Sequence, residues 1–268
     1  MKRNFTLGLI VVFTVGLLFA NMGAKESKKL AGTDKYKVIR VDGRIVFQRT
    51  KADMKKGDIF LAGMALSFKT PQSRAAVISS LKGRFVLSAS EKGQTKILPA
   101  ANNISSRAGA LINLIDVQNH FSGRYLVIGE MKLELGKEAF PLDDDNFFYL
   151  SYEHEGETIR KKLNSENNHV ILNKEDIYKI DGKAIPYSEK EMILYYRSGG
   201  ESKKINNFTP VFPSLTDLKD EVAIILDEFN GQDNEKKIKE VTSYLNEFYG
   251  HPQKDNLGAW LEAEFSLK

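Results

Sequence analysis

The chain has no cysteine in 268 residues. This excludes disulfides, thiolate metal sites and the lipid-bearing N-terminal cysteine of a bacterial lipoprotein, so the fold has to rest on its apolar core. Four histidines are present, His120, His154, His169 and His251, and no two stand at helical or strand-pair spacing. No zinc pattern can be read from them. There is no G-x-S-x-G elbow, and neither "IGEMKLELGKE" nor "ISSLKGR" is a nucleotide-binding glycine loop. A Ser-His-Asp triad drawn from distant positions stays open, since such triads are recognised by geometry rather than order. Charge of one sign is not in excess: 39 basic residues face 35 acidic ones, interspersed along the chain. Without a basic stripe interleaved with aromatics, nucleic-acid binding has no electrostatic support.

What is present starts at the N-terminus. Lys2 and Arg3 precede an apolar run over residues 7–20, followed by "NMGAKESKK". This is the three-part pattern of a secretory signal peptide. The run is about 14 residues, whereas a membrane-spanning helix needs roughly 20. The expectation is an export signal over 1–24, cleaved after Ala24 or alternatively Ala20, with an uncleaved anchor as the other reading. No later stretch is long and apolar enough to span, so the remainder is expected in the periplasm or outside the cell.

Residues 25–98 read as a β-rich domain. "YKVIRV" and "RIVFQR" flank Asp42-Gly43, which predicts a two-residue hairpin. "DIFLAG", "ALSFKT", "AAVISS" and "RFVLSAS" follow, punctuated by Gly57, Gly63, Pro71 and Gly83. Three adjacent apolar residues in "RIVFQ" predict strands covered on both faces. Residues 99–121 read as a linker, "PAANNISSR", then a short helix with Leu111, Ile112, Ile115 and Gln118 on one side. A second β-rich domain is expected over 122–210, with a hairpin tip at Gly156.

The run from Val41 to Ser88 resembles the periplasmic FecR-type domain. The likeness rests on Gly57-Asp58-Ile59-Phe60, on residues 66–70, on Ser73, Ala75 and Val77, and on the strand from Gly83. It implies a β-rich envelope module that touches another protein or the cell wall. Sensors of that family carry an anti-sigma segment ahead of a membrane helix. Only a short basic segment precedes the apolar run here, so the signalling role is not part of the resemblance.

Residues 211–268 change character. Leu215, Leu218, Val222, Ile225 and Phe229 share one helix face, behind Ser214 and Asp217 as a capping-box variant. Ile238, Val241, Leu245 and Phe248 form a second stripe, stopped by Gly250 and Pro252. The two helices predict a hairpin whose joint apolar face needs a third surface, with Trp260, Leu261 and Phe265 nearby. The fold class is therefore α+β, mainly β: one or two β-rich domains (sandwich, barrel or solenoid-like) ahead of a helical hairpin.

The most chemical stretch is "PLDDDNFFYLSYEHEGE", residues 141–157. A calcium loop needs a glycine at its sharp turn, and here Phe147, Phe148 and Tyr149 follow the acids instead. In a strand Glu153 and Glu155 would share a face and His154 would oppose them. The stretch therefore reads as acidic turn, buried strand and charged hairpin tip. No catalytic, cofactor-binding or metal-ligating residue is assigned. Two functions remain: a non-catalytic envelope module that binds a protein or cell-wall partner, with Phe147-Phe148 and Tyr195-Tyr196 as candidate contact pairs, or an envelope hydrolase with a site built from scattered Asp, Glu and His.

Overall fold

The computed structural model describes residues 34–79, 81–90, 95–99 and 110–268. The expected signal over 1–24 and linker residues 100–109 lie outside the described residues. Among the described residues the chain is mainly β, with a helical C-terminal region, and no helix is long and apolar enough to cross a membrane.

The first part carries β1 (Lys35–Asp42), β2 (Ile45–Phe47), β3 (Ile59–Leu61), β4 (Leu66–Phe68), β5 (Arg74–Ser79), β6 (Gly83–Ala89) and β7 (Thr95–Pro99). They form an antiparallel sheet in the order β3-β1-β5-β6-β7, with β2 and β4 as a separate pair. The Asp42-Gly43 turn is thus not a hairpin. Both edges of β1 are taken, by β3 and β5, and the chain turns away. Gly43 has φ +75° and sits against the 70–73 loop, where a Cβ would lie 2.7 Å from Ser73 Oγ. One face of the sheet packs Tyr36, Val38, Val77 and Leu87 over Ile45, Phe47, Met54 and Leu66. The opposite face offers Ile39, Ala76, Ile78 and Val86, so β5 is covered on both sides. A bulge between Val38 and Arg40 makes Ile39 the extra residue. It turns both Ile39 and Arg40 to that second face.

The second part carries α1 (Leu114–His120), β8 (Gly123–Leu126), β9 (Met131–Glu134), β10 (Phe147–His154), β11 (Glu157–Lys162), β12 (Asn164–Glu166), β13 (His169–Leu172), α2 (Lys174–Ile177), β14 (Lys179–Ile180), β15 (Lys183–Ala184), β16 (Met192–Ser198) and β17 (Glu201–Val211). The β10–β11 hairpin turns at Glu155 and Gly156, both at positive φ, as a tight primed turn requires. A six-stranded sheet runs β11-β10-β16-β17-β8 and ends on the C-terminal strand β18 (His251–Pro252), and a three-stranded one runs β12-β13-β9. They share a core of Tyr125, Phe148, Leu150, Leu194 and Phe208 with Met131, Leu133, Val170 and Leu172. The helix near 115 is turned over relative to its predicted face. Val117 is buried, while Ile112 and Ile115 are 64% and 66% exposed. Leu111 lies before the helix, bridged to Leu135.

The last part is α3 (Leu215–Glu228), α4 (Asn234–Phe248), β18 (His251–Pro252) and α5 (Lys254–Phe265). Ser214 Oγ caps α3 by accepting from Asp217 N. Leu218, Val222 and Ile225 with Val241, Leu245 and Phe248 form the expected seam, although Leu215 stands 46% exposed. Its third surface is the second face of the first sheet, joined by Leu126, Ile128 and Val211 of the second part. Each fully buried residue there contributes roughly 1.5 to 3 kcal/mol. Leu261 is buried, but Trp260 and Phe265 are only partly so, edge to face on one another. The C-terminal segment also supplies a strand: β18 pairs parallel with β8, beside β17. Gly250 makes the approach possible. At φ +104°, a Cβ there would lie 2.3 Å from Arg124 O. Gly250→Ala should cost about 3 kcal/mol or more through overpacking and backbone strain. A thermal melt should show a fall of about 6 °C or more, and an unchanged midpoint would refute the close approach.

Candidate functional site

The acidic turn is built from within. Asp143 Oδ1 accepts from Asp145 N at 2.8 Å and Asn146 N at 2.7 Å. The Asn146 side chain bonds both Asp143 oxygens, and these bonds lower the carboxyl's pKa. Lys162 Nζ approaches Asp144 at 3.6 Å. Glu153 accepts from Thr158 across the hairpin, and His154 stands 4.0 Å from Glu155 in the turn. Nothing here converges. Among the described residues no group of three His, Asp or Glu is placed to hold a metal ion.

Two histidines do meet. His120, at the end of α1, bonds the Tyr125 hydroxyl, which reaches Met131 Sδ at 3.1 Å. His251 of β18 donates from Nε2 to His120 O at 2.9 Å and lies edge-on to the Tyr125 ring. Burial, then the neighbouring His251, pulls the His120 pKa down to about 4. This cluster pins β18 to β8, and His120 within it stays uncharged at neutral pH.

The strongest polar constellation lies between α3 and the first sheet. Glu221 is 4% exposed. Its Oε2 accepts from Tyr244 at 2.8 Å and from Tyr249 at 2.5 Å, and Arg40 Nη1 stands 3.5 Å from Oε1. Arg40 also bonds the Tyr249 hydroxyl, and its Nε donates to Asp42 at 2.6 Å. Asp42 in turn accepts from Arg74, whose guanidinium lies over the Phe248 ring. Burial raises the Glu221 pKa, against the pull of both tyrosines and Arg40. One turn earlier, Asp217 accepts from Lys56 at 3.0 Å, which lowers its pKa. Both acids line one cavity of about 440 Å³, together with Arg40, Lys55 and Lys56. This site was not singled out from sequence, yet a signal was there: Glu221 falls inside the apolar stripe of α3, between Leu218 and Val222.

The outer face of the six-stranded sheet is the second constellation. Alternation splits the two predicted aromatic pairs. Phe148 and Tyr196 enter the core, while Phe147 and Tyr195 stay half-buried outside. Register sets Lys162, Tyr149, Tyr195 and Lys204 in one row across four strands. Tyr149 and Tyr195 stack at 4.9 Å and 6°, and Lys162 lies over the Phe147 ring. Arg160 and Arg197 occupy adjoining rows. Among the described residues neither phenol in the row bonds another group, and Arg160, Arg197 and Lys204 have no carboxylate partner.

Comparison with known proteins finds no matching protein family, no matching curated sequence and no matching solved structure.

Two outcomes are expected. Glu221→Ala removes the acceptor of two buried phenol O–H groups and leaves Arg40 with Asp42 as its one carboxylate partner, and should cost about 3 to 5 kcal/mol in denaturant unfolding. Glu221→Gln keeps the acceptor and should stay within about 1 kcal/mol of wild type. Because burial raises the carboxyl pKa, wild type should lose stability relative to Gln as pH rises from about 4.5 through the raised value. Equal tolerance of both substitutions would contradict the network. His120 shifts the other way: unfolding frees it to protonate, so its stabilisation is full above pH 6.5 and is lost as pH falls to about 4. That loss should approach roughly 3 kcal/mol. His120→Gln should flatten that part of the stability–pH curve, and an unaltered slope would exclude His120 as its source.

Proposed function

We propose that this protein is an exported, non-catalytic module of the cell envelope that binds a cell-wall polymer through the outer face of its six-stranded sheet. The observation that carries the reading is the Lys162, Tyr149, Tyr195, Lys204 row. Stacked phenols with unused hydroxyls and flanking cations suit a hydroxyl-rich chain bearing carboxylates or phosphates. The N-terminal signal pattern and the FecR-type likeness of residues 41–88 agree with an envelope setting and a surface-binding task. The buried acid Glu221 is committed to protein partners, which favours a structural role for it.

A second reading has one observation in its favour. Asp217 and Glu221 line the same cavity with pKa values pushed apart, the pattern of an acid and base pair. An envelope hydrolase acting on glycans would use them so. Glu221→Gln separates the two: it should abolish a hydrolase while leaving wall binding intact.

The test of the first reading is co-sedimentation of the secreted chain with purified cell-wall material. Binding should fall at least tenfold in a Tyr149→Ala, Tyr195→Ala double variant. The variant should still fold, because a cross-strand pair contributes only about 0.2 to 1 kcal/mol. Undiminished wall binding by that variant, capture of a protein partner in place of the wall, or recovery of the full-length chain from the cytoplasm would each overturn the proposal.

A further inference from the structure

Away from both constellations, residues of α4 and α5 line a groove of about 540 Å³. That volume falls within the roughly 300 to 1,000 Å³ of small-ligand sites. Its walls are Ile238 and Thr242 of α4 and Leu257, Gly258 and Leu261 of α5. The spacing on each helix, i, i+3, i+4 and i+7, makes each wall a single face. The Thr242 hydroxyl donates to Ile238 O at 2.7 Å and is already satisfied. Leu267 closes one end. Ser266 takes a left-handed conformation at φ +53°, and Leu267 N returns to Leu261 O at 3.2 Å.

Gly258 is the unusual wall residue. It sits inside α5, where glycine is among the poorest helix formers, and a Cβ added there would meet nothing within 4 Å. The missing side chain leaves space in the groove rather than room for a neighbouring element. The rim carries charge. Glu262 is held by Lys268, and Glu235 lines the groove one turn before Lys239, while Lys239 and Lys254 have no carboxylate partner among the described residues. Lys254 opens α5, the end of a helix that disfavours a cation. A slot without free hydrogen-bonding groups, overlooked by two uncommitted cations, matches an amphiphile better than an extended peptide, which needs backbone partners.

We propose that this groove binds a single acyl chain with an anionic head, the chain lying along Gly258 and the head meeting Lys239 and Lys254. The site is separate from the sheet face, and neither proposal depends on the other.

Titration calorimetry of the purified chain with octanoate, decanoate and dodecanoate, below their micellar concentrations, tests it. Dodecanoate should bind saturably at one site. Affinity should rise about fourfold per methylene, hence about 16-fold for each two-carbon step. Gly258→Leu should cost at least tenfold, while Gly258→Ala should bind as wild type. Lys239→Glu with Lys254→Glu should weaken dodecanoate about tenfold and leave dodecanol unchanged. The last pair changes only rim side chains and so decides the matter even if Gly258→Leu fails to fold. No saturable binding of dodecanoate overturns the proposal, as does dodecanoate affinity unaltered by the paired lysine reversal. A groove that takes only an amphipathic helical peptide overturns it too. Dodecanoate binding that survives in the Tyr149→Ala, Tyr195→Ala chain keeps this result apart from the fate of the wall-binding reading.

Discussion

A carboxylate cannot be buried alone, and Glu221 shows what its burial demands. Its position on α3 requires two phenols from the α4 end and a guanidinium from β1, each held in turn. Tyr244 and Tyr249 are placed by the packing of α4 on α3, and Arg40 is aimed by the bulge at Ile39. The charged groups therefore agree on one docking of helix against sheet. The surrounding apolar seam is larger in energy but less particular, because hydrophobic burial has no direction. Apolar area holds the helical segment on the first sheet, and the polar network selects the register at which it sits.

The same segment is also bound to the second part, by other means. β18 adds to the edge of β8, Leu126 and Ile128 join the shared cluster, and Asn256 exchanges hydrogen bonds with Ile128. Both β-rich parts thus meet on one helical unit. That leaves the outer face of the six-stranded sheet and the α4–α5 groove as surfaces that nothing in the described chain covers.

Much of this was legible in the sequence where the signal is local. The β10–β11 tip followed from Gly156, the α3 start from Ser214, and the seam from apolar residues at helical spacing. What alternation alone cannot give is a partner. "YKVIRV" and "RIVFQR" look like two halves of a hairpin, yet β1 joins β5, more than thirty residues away, because pairing follows global packing rather than the intervening turn. A short helix also gives too few residues to fix its face, which is why α1 buries Val117 and exposes Ile115. For Tyr195 and Tyr196 the sequence shows that one points inward, and only the neighbouring strands decide which. Glu221 was readable as a charge on an apolar stripe, but its partners come from β1 and α4 and have no local signature.

The seam has a consequence for how the chain matures. Ile39, Ala76, Ile78 and Val86 belong to the first sheet, but their cover comes from residues beyond 214. A chain emerging from its N-terminus can pair β1, β5 and β6 while that face remains naked. It becomes a finished surface only once α3 and α4 have followed, well over one hundred residues later. Such delay is the signature of a high-contact-order step, slow to close and open to wrong associations meanwhile. The early sheet is in effect an unsatisfied docking surface for its own C-terminal helices, and any factor that shields nascent apolar surface would meet this protein there first.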